Sequence, residues 1–163
     1  MTIRPPDRTD LRILDVLQQD ARITNQALAE RVALSPSACL ARVRALEQRG
    51  LIHSYRAQVA VDRIRSATIV MAQVSFRQHA LEGFTEFDRR ILAMPEIVEA
   101  SRVSGPYDYM LRVIVRDVHH WKDVARALLS GDDGVEKIVS HFLMDEVKAF
   151  AGYPLTDDAP ALR

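Results

Sequence analysis

Residues 20–52, DARITNQALAERVALSPSACLARVRALEQRGLI, contain two short helical patterns separated by a tight turn. A helix is predicted to begin at Ser35-Pro36, because a serine oxygen accepts hydrogen bonds from the free amides of a first turn and proline suits the first helical position. Gly50 is its predicted end. Thr24 is the predicted cap of the helix before it. Two such helices joined by a tight turn are typical of a helix-turn-helix.

The second helix of this pair has an apolar face and a polar face. Cys39, Val43 and Leu46 recur at intervals of four and three residues and are predicted to point inward. Small side chains on the opposite face would let the helix approach base edges in the major groove, where arginines reach phosphates or a guanine edge. An ordinary solvated helix is the alternative. The residues predicted to bind DNA are Arg22, Thr24, Asn25, Ser35, Ser37, Ala38, Ala41, Arg42 and Arg44.

A further helix is predicted upstream, opening near Asp7 or Asp10, from the spacing of Ile13, Leu14 and Leu17. Three helices would then share one small core. The chain has no net charge overall, but residues 1–60 contain nine arginines and six carboxylates. This basic excess supports binding to nucleic acid only in combination with the motif.

The chain has a single cysteine, Cys39, which excludes an intrachain disulfide and favours a core role in a reducing compartment. The first residues lack the apolar segment of a signal peptide, and no stretch of eighteen apolar residues occurs. The sequence therefore predicts a soluble, cytoplasmic protein without a membrane partner.

After Gly50 the hydrophobic period changes from helical to alternating, which predicts a linking strand and hinge over residues 53–67. From Thr68 the patterns follow the order strand, helix, strand, strand, helix, strand, with the last strand over residues 135–147. This order is typical of a ferredoxin-like βαββαβ domain. Because its strands are apolar on both faces, a second copy of the sheet is expected to cover the face without helices, which predicts a homodimer.

Several motifs, in this order, resemble those of the Lrp/AsnC family of leucine-responsive, or feast/famine, transcription regulators over residues 7–150. They are DRTD at 7–10, QDAR at 19–22, LSPS at 34–37, GLI at 50–52, VSGPYDY at 103–109 and MDEVK at 144–148. The resemblance implies an α+β chain with a three-helix winged helix-turn-helix domain at residues 1–52. A strand linker at 53–67 joins it to a ferredoxin-like effector-binding and oligomerisation domain at 68–150, and the tail at 151–163 lies outside the family pattern.

The resemblance also implies that an amino-acid effector binds between dimers, which often form octamers in this family. The matching positions are Gly105, Tyr107, Asp108 and Tyr109, with Ser140 opposite. A glycine turn exposes N–H groups to an α-carboxylate, and an aspartate accepts hydrogen bonds from an α-ammonium group. The alternative is a plain hairpin turn with both tyrosines packed in the core.

Two other functions remain open at this point. An enzyme is one of them, because ferredoxin-like domains also host catalysis. The histidines do not have the spacing of a zinc site, and no phosphate-binding loop or nucleophile elbow occurs, so no catalytic residue, metal ligand or cofactor is predicted. The other is an effector-independent, nucleoid-organising protein that binds double-stranded DNA with low sequence preference.

Overall fold

The computed structural model describes residues 5–78, 81–131 and 133–155. These residues form two compact units, one of residues 5–58 with 148–155 and the other of residues 59–147. The chain thus leaves the first unit within the predicted linker and returns to it near its end. Residues 151–155 belong to the first unit, and the rest of the predicted tail, 156–163, lies outside the described residues.

The first unit contains the three predicted helices, α1 (Arg8–Gln19), α2 (Asn25–Arg31) and α3 (Pro36–Gln48). Each begins at a polar cap. The Asp7 side chain accepts from the Asp10 N–H at 2.8 Å, and the Asp10 side chain accepts from the Asp7 N–H at 3.2 Å, which is a capping box. Thr24 and Ser35 cap α2 and α3, as the sequence predicts.

Gly50 ends α3. Its φ of +69° lies in the left-handed region that favours glycine. The Gly50 N–H donates to the Glu47 carbonyl and the Leu51 N–H donates to the Leu46 carbonyl, which together form a Schellman motif. The core that this turn closes consists of Ile13, Leu28, Ala29, Val32, Cys39 and Leu46.

The predicted linking strand does not form. Residues 53–60 are exposed and have no regular secondary structure, and a short 3₁₀ helix follows at Val61–Arg63. A strand requires a neighbour with which to exchange hydrogen bonds, and no other described segment of this chain pairs with residues 53–60.

The second unit contains β1 (Thr68–Phe76), α4 (Leu81–Leu92), β2 (Ile97–Arg102), β3 (Tyr109–Val115), α5 (Val118–Leu129) and β4 (Val135–Phe142). The sheet order is β2-β3-β1-β4, and all neighbours are antiparallel. This confirms the predicted ferredoxin-like topology. The last strand is shorter than predicted, because its partner β1 ends there. The last hydrogen bond between them runs from the Leu143 N–H to the Ile69 carbonyl, near the start of β1.

Alternate residues of β1 and β3 are buried beneath the two helices, together with Phe87, Trp121 and Leu128. The other face of the sheet is only half-buried and carries Met71 and Ile114 beside Gln73 and Arg112. The sheet therefore has one closed face and one incompletely covered face.

Candidate DNA interface and effector site

The outward face of α3 carries the small residues that the sequence predicts there. Ser37, Ala38 and Ala41 are exposed, and so is Arg44. Arg44 makes no ion pair or hydrogen bond with the described residues. Its guanidinium is therefore free to reach a phosphate or a base edge.

Arg42 is placed differently from the prediction. Its Nη1 atom lies 2.7 Å from Asp7 Oδ2 and 2.7 Å from Asp10 Oδ1. Arg42 follows Cys39 by three residues and precedes Leu46 by four, so it shares the side of α3 that faces the core. Arg42 is therefore bound to two carboxylates of the first unit, and this corrects the view of it as a free DNA contact.

The electrostatics agree with this arrangement. The hydrogen bond from Arg42 holds the pKa of the Asp7 carboxyl below its ordinary value, and the backbone amide of Asp10 acts in the same direction. The bonds to Asp7 and Asp10 raise the pKa of the Arg42 guanidinium. Arg49, near the end of α3, also lies 3.6 Å from Asp10. The positive charges of Arg42 and Arg49 on this side of α3 are thus balanced by the carboxylates of Asp7 and Asp10.

Three predicted residues before α3 organise the motif. The Asn25 amide donates to the Pro36 carbonyl at 2.8 Å and so ties the start of α2 to the start of α3. The Thr24 hydroxyl accepts from the Ala27 N–H. Arg22 is exposed in the turn before α2, where its N–H donates to the Asp20 side chain. Of these three side chains, that of Arg22 is the one without a hydrogen bond to the described residues.

Ser35 has a similar local role. Its hydroxyl accepts from the Ala38 N–H at 3.3 Å and lies 3.2 Å from the Ser37 hydroxyl. Two exposed residues of α3, Leu40 and Gln48, are absent from the predicted set. Gln48 lies four residues after Arg44 and Leu40 three after Ser37, so helical spacing places both beside predicted residues of α3.

The predicted effector loop is a tight hairpin between β2 and β3. Gly105 is exposed at its tip with a φ of +126°, a conformation open mainly to glycine. The N–H groups of Gly105 and Tyr107 donate to none of the described residues. The Asp108 Oδ2 atom accepts from the Phe76 N–H at 2.9 Å, which fixes the loop to the end of β1.

Tyr109 is a core residue and Ser140 is a half-buried residue on the helix-covered face of the sheet, which corrects their predicted contact with an effector. Tyr109 is 1% exposed and packs against three phenylalanines. Ser140 faces α5, and its hydroxyl accepts from the Trp121 indole N–H at 3.1 Å. The alternating pattern of a strand turns both side chains toward the helices.

The Tyr109 hydroxyl belongs to a polar network that sequence reasoning missed. It donates to Asp88 Oδ1 at 2.7 Å and accepts from Arg102 Nε at 2.8 Å, while Arg102 also pairs with Asp88. Burial and the bond to Asp88 raise the pKa of Tyr109 to about 12. The network joins α4 to both strands that flank the effector loop. Asp88 and Arg102 are widely separated in sequence, so no local signal indicated it.

A buried ion pair lies elsewhere in the second unit. Arg90 Nε is 3.2 Å from Asp133 Oδ2, and the Asp133 side chain is fully buried. Arg90 also donates to the Leu128 carbonyl at the end of α5. Arg90 therefore links the two helices to the loop before β4, beside a surface cleft of about 510 Å³.

Two general findings limit the kinds of site present. No helix within the described ranges is long and apolar enough to cross a membrane. The same residues contain no group of three or more histidine, cysteine or carboxylate side chains arranged to hold a metal ion.

A helix-turn-helix unit followed by a ferredoxin-like domain with a glycine-tipped loop defines a DNA-binding protein with a ligand-binding domain. Comparison with known families agrees with this class. The winged helix-turn-helix DNA-binding family matches residues 6–53, and the Lrp/AsnC ligand binding domain matches residues 69–152. The chain belongs to the Lrp/AsnC family of transcription regulators, whose members are not enzymes.

Individual relatives support the same assignment. The chain is 35% identical to the leucine-responsive regulatory protein of Escherichia coli K12 over 142 residues, which cover 87% of each protein. It also resembles a transcriptional regulator from Neisseria meningitidis solved in complex with L-Met, at 32% identity and a TM-score of 0.84, over 91% of this chain and 96% of that one. An AsnC family regulator from Agrobacterium tumefaciens has 29% identity and a TM-score of 0.83, over 91% and 97%.

Proposed function

We propose that this DNA-binding transcription regulator recognises specific sequences through the outward face of α3. The observation that carries the proposal is that Arg44 is exposed beside small residues and pairs with none of the residues that the structure describes. Ser37 and Ala41 allow the helix to approach the base edges closely, and Arg44 has the length and the donors to contact a guanine edge or a phosphate. Gln48, four residues after Arg44, is exposed on the same helix, and Arg22 is exposed in the turn before α2.

Replacing Arg44 tests this surface. If Arg44 reads a base, Arg44→Ala is expected to lower the affinity for a selected DNA site by about 1–3 kcal/mol, with relaxed preference at one position. If it touches only phosphate, the slope of log K against log salt is expected to fall by about one. Arg89→Ala, on the exposed Glu86–Arg89 pair of α4, is the matched control. Unchanged affinity and slope in Arg44→Ala would contradict the proposal.

The second part of the proposal is an amino-acid effector at the hairpin between β2 and β3. The N–H groups of Gly105 and Tyr107, which donate to none of the described residues, suit an α-carboxylate. A carboxylate can accept several hydrogen bonds, so the bond from the Phe76 N–H to Asp108 is compatible with a further bond from an α-ammonium group. The Neisseria meningitidis regulator, which was solved with L-Met, supports this class of ligand.

The third part is assembly. The half-buried face of the sheet suits a second copy of the chain, and we propose a homodimer that associates further into octamers, with the effector between dimers. Two-fold symmetry would direct two α3 helices to half-sites about one helical turn of DNA apart, or a multiple of that distance. We also propose the cytoplasmic location that the sequence predicts, because a transcription regulator has to reach the DNA that it binds.

A thermal-shift screen of the purified protein against the twenty amino acids tests the effector. A ligand that binds only the folded state raises the melting temperature by mass action. A shift with one class of amino acid in the wild type, lost in Asp108→Asn, is the expected result. No shift at millimolar concentration would contradict the effector and favour an effector-independent, nucleoid-organising protein.

A further inference from the structure

Two polar contacts hold α3 against the other helices of the first unit. The Asn25 side chain of α2 binds the Pro36 carbonyl at the first residue of α3. Arg42, in the middle of α3, binds both carboxylates of the capping box that opens α1. The contacts come from different helices and act at different points along α3.

The Arg42 contact differs from an ordinary surface ion pair. The Asp10 side chain is only 10% exposed, and its two oxygens lie near Arg42, Arg49 and the Asp7 N–H. Exposed pairs contribute little because water screens them, whereas a pair with a nearly buried member is screened less. One Arg42 nitrogen also bridges two carboxylates that belong to the same helix end, so the contact fixes the position of α3 relative to α1.

We propose that Arg42 is a positioning residue for DNA recognition, which sets the orientation of α3 through Asp7 and Asp10 and does not itself touch DNA. The proposal rests on the proposed function of α3. It assigns direct contact to Arg44 and orientation to Arg42, although the two arginines are only two residues apart.

The proposal predicts an unusual effect of removing a negative charge. Asp10→Asn removes a negative charge from the unit that binds a polyanion, so simple Coulomb attraction would raise the DNA affinity. If Asp10 acts by holding Arg42, the affinity for a selected site falls instead, by about 3- to 10-fold. Arg42→Gln is expected to produce a similar fall, and the double variant little more than either change alone.

The experiment measures binding of these variants to a selected DNA duplex and to a random duplex at several salt concentrations. Circular dichroism is used to choose a temperature for the binding measurements at which each variant is fully folded. The expected slope of log K against log salt for Arg42→Gln equals that of the wild type. Arg42→Lys, which keeps the charge but replaces the guanidinium with a single ammonium group, is expected to recover part of the loss and carries the test if Arg42→Gln does not fold.

The outcomes separate this proposal from the function on which it rests. If the wild type does not prefer the selected duplex to the random one, sequence-specific recognition fails and the role of Arg42 fails with it. If the wild type and the Arg89→Ala control bind normally but Asp10→Asn raises the affinity, only the positioning role is overturned. Two results together would also overturn the positioning role and make Arg42 a phosphate contact. They are a slope of log K against log salt reduced by about one in Arg42→Gln, and losses of DNA affinity that add in the double variant.

Discussion

Asp108 has a structural role that accompanies its proposed role in effector binding. Its Oδ2 atom accepts from the Phe76 N–H at 2.9 Å, and Phe76 is only 4% exposed. In Asp108→Ala this amide loses a charged acceptor at a site with little access to water. The expected loss of stability is about 1.5–3 kcal/mol. For a unit of this size, each kcal/mol lowers the melting temperature by roughly 4–8 °C.

Asp108→Asn separates the two roles. Asparagine keeps an oxygen that accepts from Phe76 but removes the charge that would bind an α-ammonium group. Urea unfolding is therefore expected to show a loss of about 1 kcal/mol or less, while the thermal shift caused by an amino acid disappears. If Asp108→Ala is as stable as the wild type, the structural reasoning is refuted. If Asp108→Asn responds normally to the effector, the ammonium group binds elsewhere.

Two further predictions concern the dependence of stability on pH. The raised pKa of Tyr109 means that the phenol stays protonated up to about pH 12 in the folded protein but ionises near pH 10 in the unfolded chain, so the free energy of unfolding falls between these pH values. The free energy of unfolding of Tyr109→Phe is expected to fall less steeply over this range. An equally steep fall in the variant would contradict the burial of this group. Because the pKa of Asp7 is lowered in the folded protein, its pair with Arg42 stabilises the fold above pH 3.8. This stabilisation is lost as the pH falls through the pKa that Asp7 has in the folded protein. Asp7→Asn is therefore expected to be less stable than the wild type at pH 7, with the difference shrinking in acid, and a constant difference would contradict the pairing.

Local signals accounted for most of the fold. Ser35, Thr24 and Gly50 have side chains or backbone preferences that act within four residues, so the sequence alone indicated where α2 begins and where α3 begins and ends. The order of strands and helices likewise fixed the ferredoxin-like topology. The linker is the exception, because residues 53–60 alternate like a strand but have no neighbouring strand in the described chain.

The candidate sites were harder to predict because they depend on contacts between distant residues. The sequence predicts Arg42 as a DNA contact because an arginine beside small outward residues can reach phosphates or a guanine edge, yet its carboxylate partners lie more than thirty residues away. Tyr109 and Ser140 lie close in sequence or register to the effector loop, but the sheet turns both toward the helices. Among the described residues Arg44 and Gly105 have no such distant partners, and both are exposed, as the sequence predicts.

Selection of binding sites from a random DNA library tests the central claim most directly. The wild type is expected to enrich a pseudo-palindromic site whose half-sites lie about one helical turn apart, or a multiple of it, because two α3 helices related by symmetry would read it. Arg44→Ala, selected in parallel, is expected to lose preference within each half-site or to bind every sequence more weakly. If the wild type enriches no sequence over the starting library, the outward face of α3 does not read DNA sequence and the account is contradicted.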